Sequence, residues 1–109
     1  MSKFDDFTRA VLDGVPRIAT GELKGLVRSA KADAQAFLDS AKEKLERRTD
    51  MLARGELVKE DFEDLVKGQA DLAVLFALTQ AGVAAARLQR FRKALIDLVI
   101  KAAFKTFLP

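Results

Sequence analysis

The chain of 109 residues contains no cysteine, no histidine, no tryptophan and no tyrosine. Without cysteine it has no disulfide, no thiolate zinc site and no cysteine nucleophile. Without histidine it lacks the commonest general base and the commonest metal ligand. We therefore expect no hydrolase, transferase or metal-dependent activity, no cofactor and no small-molecule substrate.

Proline and long apolar runs are also scarce. Proline occurs only at Pro16 and Pro109, so no fixed φ interrupts a helix between them. The longest uncharged run, residues 72–86, contains Thr79, Gln80 and Gly82, and it is too short and too polar to span a bilayer. No apolar stretch follows Lys3 as it would in a signal peptide. These features predict a cytoplasmic protein, with a peripheral position at a membrane as the alternative.

Half of the residues are apolar and 32% are charged, which is typical of a folded domain. Apolar residues recur at helical spacing, so we predict a single all-α domain over residues 1–109. The predicted segments are a helix over about 2–14, a linker at 15–20, a helix over about 20–54, a turn at 55–57 and a helix over about 58–107.

Glycines and one proline set these predicted boundaries. Ser2 is the expected N-cap of the first helix, and Gly14 followed by Pro16 is its expected end. Gly55 separates the two long helices, which a short turn makes antiparallel. The predicted fold is a long antiparallel helical hairpin plus a short N-terminal helix. The alternative is a compact four-helix bundle with a break near Gly82.

The C-terminal helix is apolar around most of its circumference. Its polar stripe is narrow and contains Arg90, Lys93, Asp97, Lys101 and Lys105. One neighbouring helix cannot cover so wide an apolar surface. We therefore predict an oligomer interface, in a dimer or larger assembly, formed by Phe91, Leu95, Leu98, Val99, Ala102, Phe104 and Phe107. Two alternatives remain open: the helix lies at the centre of the protein's own bundle, or it contacts a membrane or a hydrophobic ligand.

Basic charge is concentrated in the last fifth of the chain. Residues 1–86 carry 13 basic and 15 acidic side chains, a net charge of −2, whereas residues 87–109 carry a net charge of +5. The candidate contacts to an anionic partner are Arg87, Arg90, Arg92, Lys93, Lys101 and Lys105. An anionic membrane surface is one such partner. Nucleic acid is a weaker one, because Phe91 lies on the apolar stripe and is not placed to stack on bases.

An acidic group at the start of the last helix, Glu56 to Asp64, has a simple explanation. Di-metal carboxylate sites in helical bundles pair glutamates with histidine, which is absent here. Acidic side chains in a first turn are instead favoured by the helix dipole. The sequence thus predicts a non-catalytic module that associates with itself or with other proteins. A peripheral membrane or lipid-binding role is the alternative, and a nucleic-acid adaptor is the third hypothesis.

Overall fold

The computed structural model describes residues 2–23, 25–71 and 73–108. Six α-helices follow one another in this part of the chain, and no strand occurs in it. They are α1 (Lys3–Glu22), α2 (Val27–Ser40), α3 (Lys42–Ala53), α4 (Lys59–Asp71), α5 (Phe76–Gln80) and α6 (Ala85–Phe107). The predicted all-α class is confirmed. The molecule measures 42 × 26 × 21 Å.

The first helix continues through the segment predicted as a linker. Ser2 caps it as expected, because its Oγ accepts a hydrogen bond from the Asp5 N–H at 3.1 Å. Neither Gly14 nor Pro16 ends the helix, and the predicted boundary at residue 14 is wrong. An interior proline costs about 3 kcal/mol. Burial of a large apolar side chain contributes about 1.5–3 kcal/mol, and this gain offsets the cost of the proline. The helix buries Phe7, Val11 and Val15 along one line, and Leu23, just after its end, is buried too.

Gly14 has a packing role instead of a helix-ending one. A Cβ added to Gly14 would lie 2.6 Å from Cδ1 of Leu98, which is closer than atoms of two side chains can approach. The missing side chain therefore lets α1 and α6 pack closely at this point.

The predicted helix over 20–54 is interrupted twice. Gly25, at φ 77°, separates α1 from α2. Ala41 then separates α2 from α3, although its N–H still donates to the Phe37 carbonyl at 3.0 Å. The Ser40 hydroxyl donates to the same carbonyl, also at 3.0 Å. Such competition from a serine side chain commonly bends a helix, which accounts for a bend rather than a full break at Ala41.

The predicted helix over 58–107 is divided into α4, α5 and α6. Gly82 ends α5 with a left-handed φ of 83°, and Gly55 ends α3 in the same way at φ 76°. At each end the glycine N–H and the next N–H bond back to carbonyls of the last turn. A continuous helix over 58–107 would have 50 residues and measure roughly 75 Å, which exceeds the 42 Å length of the molecule. A break near Gly82 was predicted by the four-helix alternative and not by the long hairpin.

The last helix, α6, lies at the centre of the packing. It contacts α1, α3 and α4, while α2 packs against α1 and α5. Two aromatic pairs mark the contacts on either side of α6. Phe107 lies 6.0 Å from Phe7 of α1, and Phe104 lies 5.9 Å from Phe62 of α4, measured between ring centroids.

Two alanine substitutions test the close approach at Gly14. Gly68 lies within α4, and a Cβ there would meet no atom within 4 Å. We expect Gly68→Ala to raise the free energy of unfolding by about 0.5–1 kcal/mol, because alanine favours the helix over glycine. Gly14→Ala should lose this gain or destabilise the protein, since Leu98 must move. Urea denaturation of both variants measures the difference, and an equal gain at the two positions would contradict the proposed role of Gly14.

Candidate interaction surface

The residues predicted to form an oligomer interface lie mostly in the protein's own core. Phe91, Leu95, Val99, Ala102 and Phe107 are buried, and Leu98 and Phe104 are half-buried against the same core. Their neighbours belong to α1, α3 and α4 of the same chain. This arrangement matches the alternative in which the last helix is central to its own bundle. Association through these side chains would require α6 to leave those neighbours.

The six predicted contacts to an anionic partner fall into two groups. Arg87, Lys93, Lys101 and Lys105 have exposed side chains, and Arg90 is exposed too but makes a further interaction within the chain. Arg92 differs, because it is half-buried and is used internally. Its Nη2 donates to the Ala73 carbonyl at 3.0 Å, and its Nη1 lies 3.4 Å from Oε1 of Gln89.

A buried carboxylate fixes the start of α5. Asp33 of α2 is only 3% exposed. The Ala77 N–H donates to its Oδ1 at 2.8 Å, and the Leu78 N–H donates to its Oδ2 at 2.9 Å. The carboxylate thus satisfies two N–H groups of the first turn of α5, as an N-cap would, but from a different helix.

Residues 73–76, here called the exposed segment, lie between these two anchors. Arg92 binds the carbonyl of Ala73 at one end, and Asp33 binds the N–H groups that follow Phe76 at the other. Leu75 points into the core, whereas Val74 is 75% exposed and Phe76 is 65% exposed. The structure therefore holds two large apolar side chains in solvent on a backbone that is tied down at both ends.

A groove runs between α4 and α6. It consists of two adjoining hollows of about 320 and 270 Å³, and Lys67 and Asp97 line both. Its floor is Ile96, Ile100 and Phe104, spaced four residues apart on α6. Gln89, Arg92 and Lys93 lie at one end, and Glu63 and Lys101 lie toward the other. We call this feature the α4–α6 groove.

Sequence reasoning did not identify several of these residues. Asp33 carried a signal, because it lies three residues after Ala30 and next to Ala34 on an otherwise apolar stripe. Lys67 carried none, since its place beside α6 depends on how the chain folds back. Val74 and Phe76 lie in the longest uncharged run, where nothing in the pattern marks them as exposed.

The described part of the chain holds no helix that is long and apolar enough to cross a membrane. Among the same residues, the carboxylates at the start of α4 do not gather into a set that could hold a metal ion. No family model, no curated protein and no solved structure matches the chain. The geometry of the surface is therefore the basis for the functional proposal below.

Removal of the Asp33 carboxylate tests the anchoring of α5. Asp33→Ala leaves two N–H groups without their acceptor, and we expect it to lower the free energy of unfolding by about 3 kcal/mol. Asp33→Asn keeps one acceptor oxygen and should cost less. Urea denaturation measures the loss, and hydrogen exchange should show faster exchange at Ala77 and Leu78.

The matched control for Asp33 is Asp39→Ala. Asp39 is exposed and accepts a hydrogen bond from Gln35 on the same helix at 2.8 Å. An exposed pair of this kind contributes only about 0.2–0.5 kcal/mol. If Asp33→Ala costs no more than Asp39→Ala, the carboxylate does not hold α5.

Proposed function

We propose that this chain is a non-catalytic helical module that acts by binding protein chains. We propose further that it binds a second copy of itself. The observation that carries the proposal is the exposed segment. Val74 and Phe76 are mostly in solvent, yet their backbone is held by Arg92 and Asp33. An anchored apolar side chain loses little conformational freedom on binding, which favours association.

The proposal keeps the predicted self-association but changes the surface that carries it. Five of the seven residues first expected at the interface are buried within the protomer. Exposing apolar area again costs about 25 cal/mol for each Å² returned to water. A contact through Val74 and Phe76 has no such cost, because these side chains already face solvent.

The size of the exposed segment sets the expected strength of self-association. In a twofold contact each copy contributes the same patch, so four large apolar side chains are buried together. Each contributes at most about 1.5–3 kcal/mol, while association itself costs about 4–15 kcal/mol. The balance predicts a weak dimer, with a dissociation constant on the order of 100 μM or above.

Sedimentation velocity across the micromolar to millimolar range tests this proposal. We expect a concentration-dependent shift from monomer to dimer, and Val74→Ser with Phe76→Ser should abolish it. The control is Val58→Ser, because Val58 is 57% exposed but precedes α4. A monomer at millimolar concentration, or a dimer unchanged in the double variant, would contradict the proposal. A tight dimer already present at micromolar concentration would favour the apolar face of α6 instead.

Peripheral binding to an anionic membrane is the second candidate. It is favoured by the exposed cations of α6, among them Arg87, Lys93, Lys101 and Lys105, and by the exposed segment as an apolar anchor. We expect weak co-sedimentation with anionic vesicles that falls with added salt, and none with neutral vesicles, because the attraction is screened. Strong binding to neutral vesicles at high salt would instead mean that a larger apolar surface inserts.

A further inference from the structure

The floor of the α4–α6 groove presents a narrow strip of apolar surface, because Ile96 and Ile100 are each 8% exposed and Phe104 is half-buried. Its floor residues Ile96, Ile100 and Phe104 lie on one line of α6 and extend over about 12 Å, or two helical turns. Charged side chains from both helices border this floor. An apolar floor with charged borders is the arrangement in which an amphipathic helix docks with its apolar face inward.

Charge along the groove is not evenly distributed. Among the described side chains, the end near Gln89 is lined by Lys67, Arg92 and Lys93, with Asp97 as the one carboxylate of that set. Toward Phe104, Lys67 and Lys101 are balanced by Glu63 and Asp97. Among the described residues, no carboxylate forms an ion pair with Lys67, Arg92 or Lys93. The end near Gln89 is thus the cationic end of the groove.

Arg92 provides a second observation at this cationic end. Both of its hydrogen bonds to described residues go to neutral acceptors, Ala73 and Gln89, and its Nε is buried without a partner. A half-buried guanidinium with neutral neighbours leaves the positive potential of this region uncompensated. An arriving carboxylate would be attracted to this end more than to the balanced end.

We propose that the α4–α6 groove binds an acidic amphipathic helix of a partner protein, with its acidic residues at the cationic end. This inference rests on the proposed function only in that the chain acts by binding protein. It uses a different surface from the exposed segment, and the two can be tested separately. Apolar residues at helical spacing would lie over Ile96, Ile100 and Phe104, and glutamate or aspartate residues would approach Lys67 and Lys93.

The probe is a synthetic amphipathic peptide with leucines at positions i, i+3, i+4 and i+7 and glutamates at one end. Its binding to the full chain is measured by fluorescence anisotropy, and the contact is located by NMR shifts of the Ile96 and Ile100 methyl groups. A second peptide has glutamine in place of every glutamate. We expect the acidic peptide to bind at least about tenfold more tightly than the glutamine peptide and to shift both methyl groups, because complementary charge supplies the preference.

Two double variants with the same change in net charge distinguish attraction by the groove from attraction by the overall charge of the protein. Lys67→Glu with Lys93→Glu reverses the groove, while Lys31→Glu with Lys44→Glu reverses exposed lysines on α2 and α3. We expect the groove variant to weaken acidic-peptide binding by about tenfold and the control to change it by less than about threefold. Both variants replace exposed side chains, and circular dichroism verifies that each one is folded.

Three results would overturn the proposal. They are absence of acidic-peptide binding at millimolar concentration, equal binding of the two peptides, and equal weakening by the two double variants. The double variant Val74→Ser with Phe76→Ser should bind the acidic peptide as the natural chain does. Loss of self-association in that variant would therefore leave the groove proposal standing, and failure of peptide binding would leave self-association standing.

Discussion

Coverage of α6 is the constraint on which the rest of the structure depends. This helix buries Phe91, Leu95 and Val99 along one side, and Ile96 and Ile100 beside them are buried as well. A neighbour on a single side cannot remove so much apolar surface from water. The chain supplies three neighbours, α1, α3 and α4. One of them, α1, approaches α6 closely at Gly14, which leaves space for Leu98.

The same constraint explains where the sequence predicted the fold and where it did not. Gly55 and Gly82 were recognised because each stands at a helix end and adopts a left-handed φ that glycine favours. Pro16 was read as a stop, which is its local tendency. The helix continues through it because Val15 and Ala19 are buried on either side. Local signals therefore predict a boundary well only when tertiary packing does not compete with them.

The oligomer interface was difficult to predict for a related reason. A wide apolar helix face predicts burial, but it does not tell whether the covering helix belongs to the same chain or to another. In this structure α1 packs against α6 and covers part of that face from within the same chain. It meets Leu98 at Gly14 and Phe107 at Phe7, and both positions lie within the predicted helix over about 2–14. The all-α class does not depend on which chain supplies the cover, whereas five of the seven residues predicted for the interface are buried within this chain.

The five-residue helix α5 shows how one polar contact determines what the surface presents. A helix this short does not form by itself, since nucleation is unfavourable. Asp33 supplies acceptors for its first N–H groups from α2, and Leu78 buries its side chain in the core. With Leu78 and Leu75 turned inward, Phe76 and Val74 are left outward. The exposure of these two side chains is thus a consequence of how α5 is held.

Arg92 links this exposed segment to the α4–α6 groove. A count of charges along α6 treats it as one more cation for an anionic partner, but its Nη2 is bound to the carbonyl of Ala73. The same side chain lines the cationic end of the groove. Its positive charge can therefore attract a partner in the groove, although its Nη1 and Nη2 already form hydrogen bonds within the chain. In the proposed complex, direct contact with the acidic helix is made instead by Lys67 of α4 and Lys93 of α6, whose side chains are exposed.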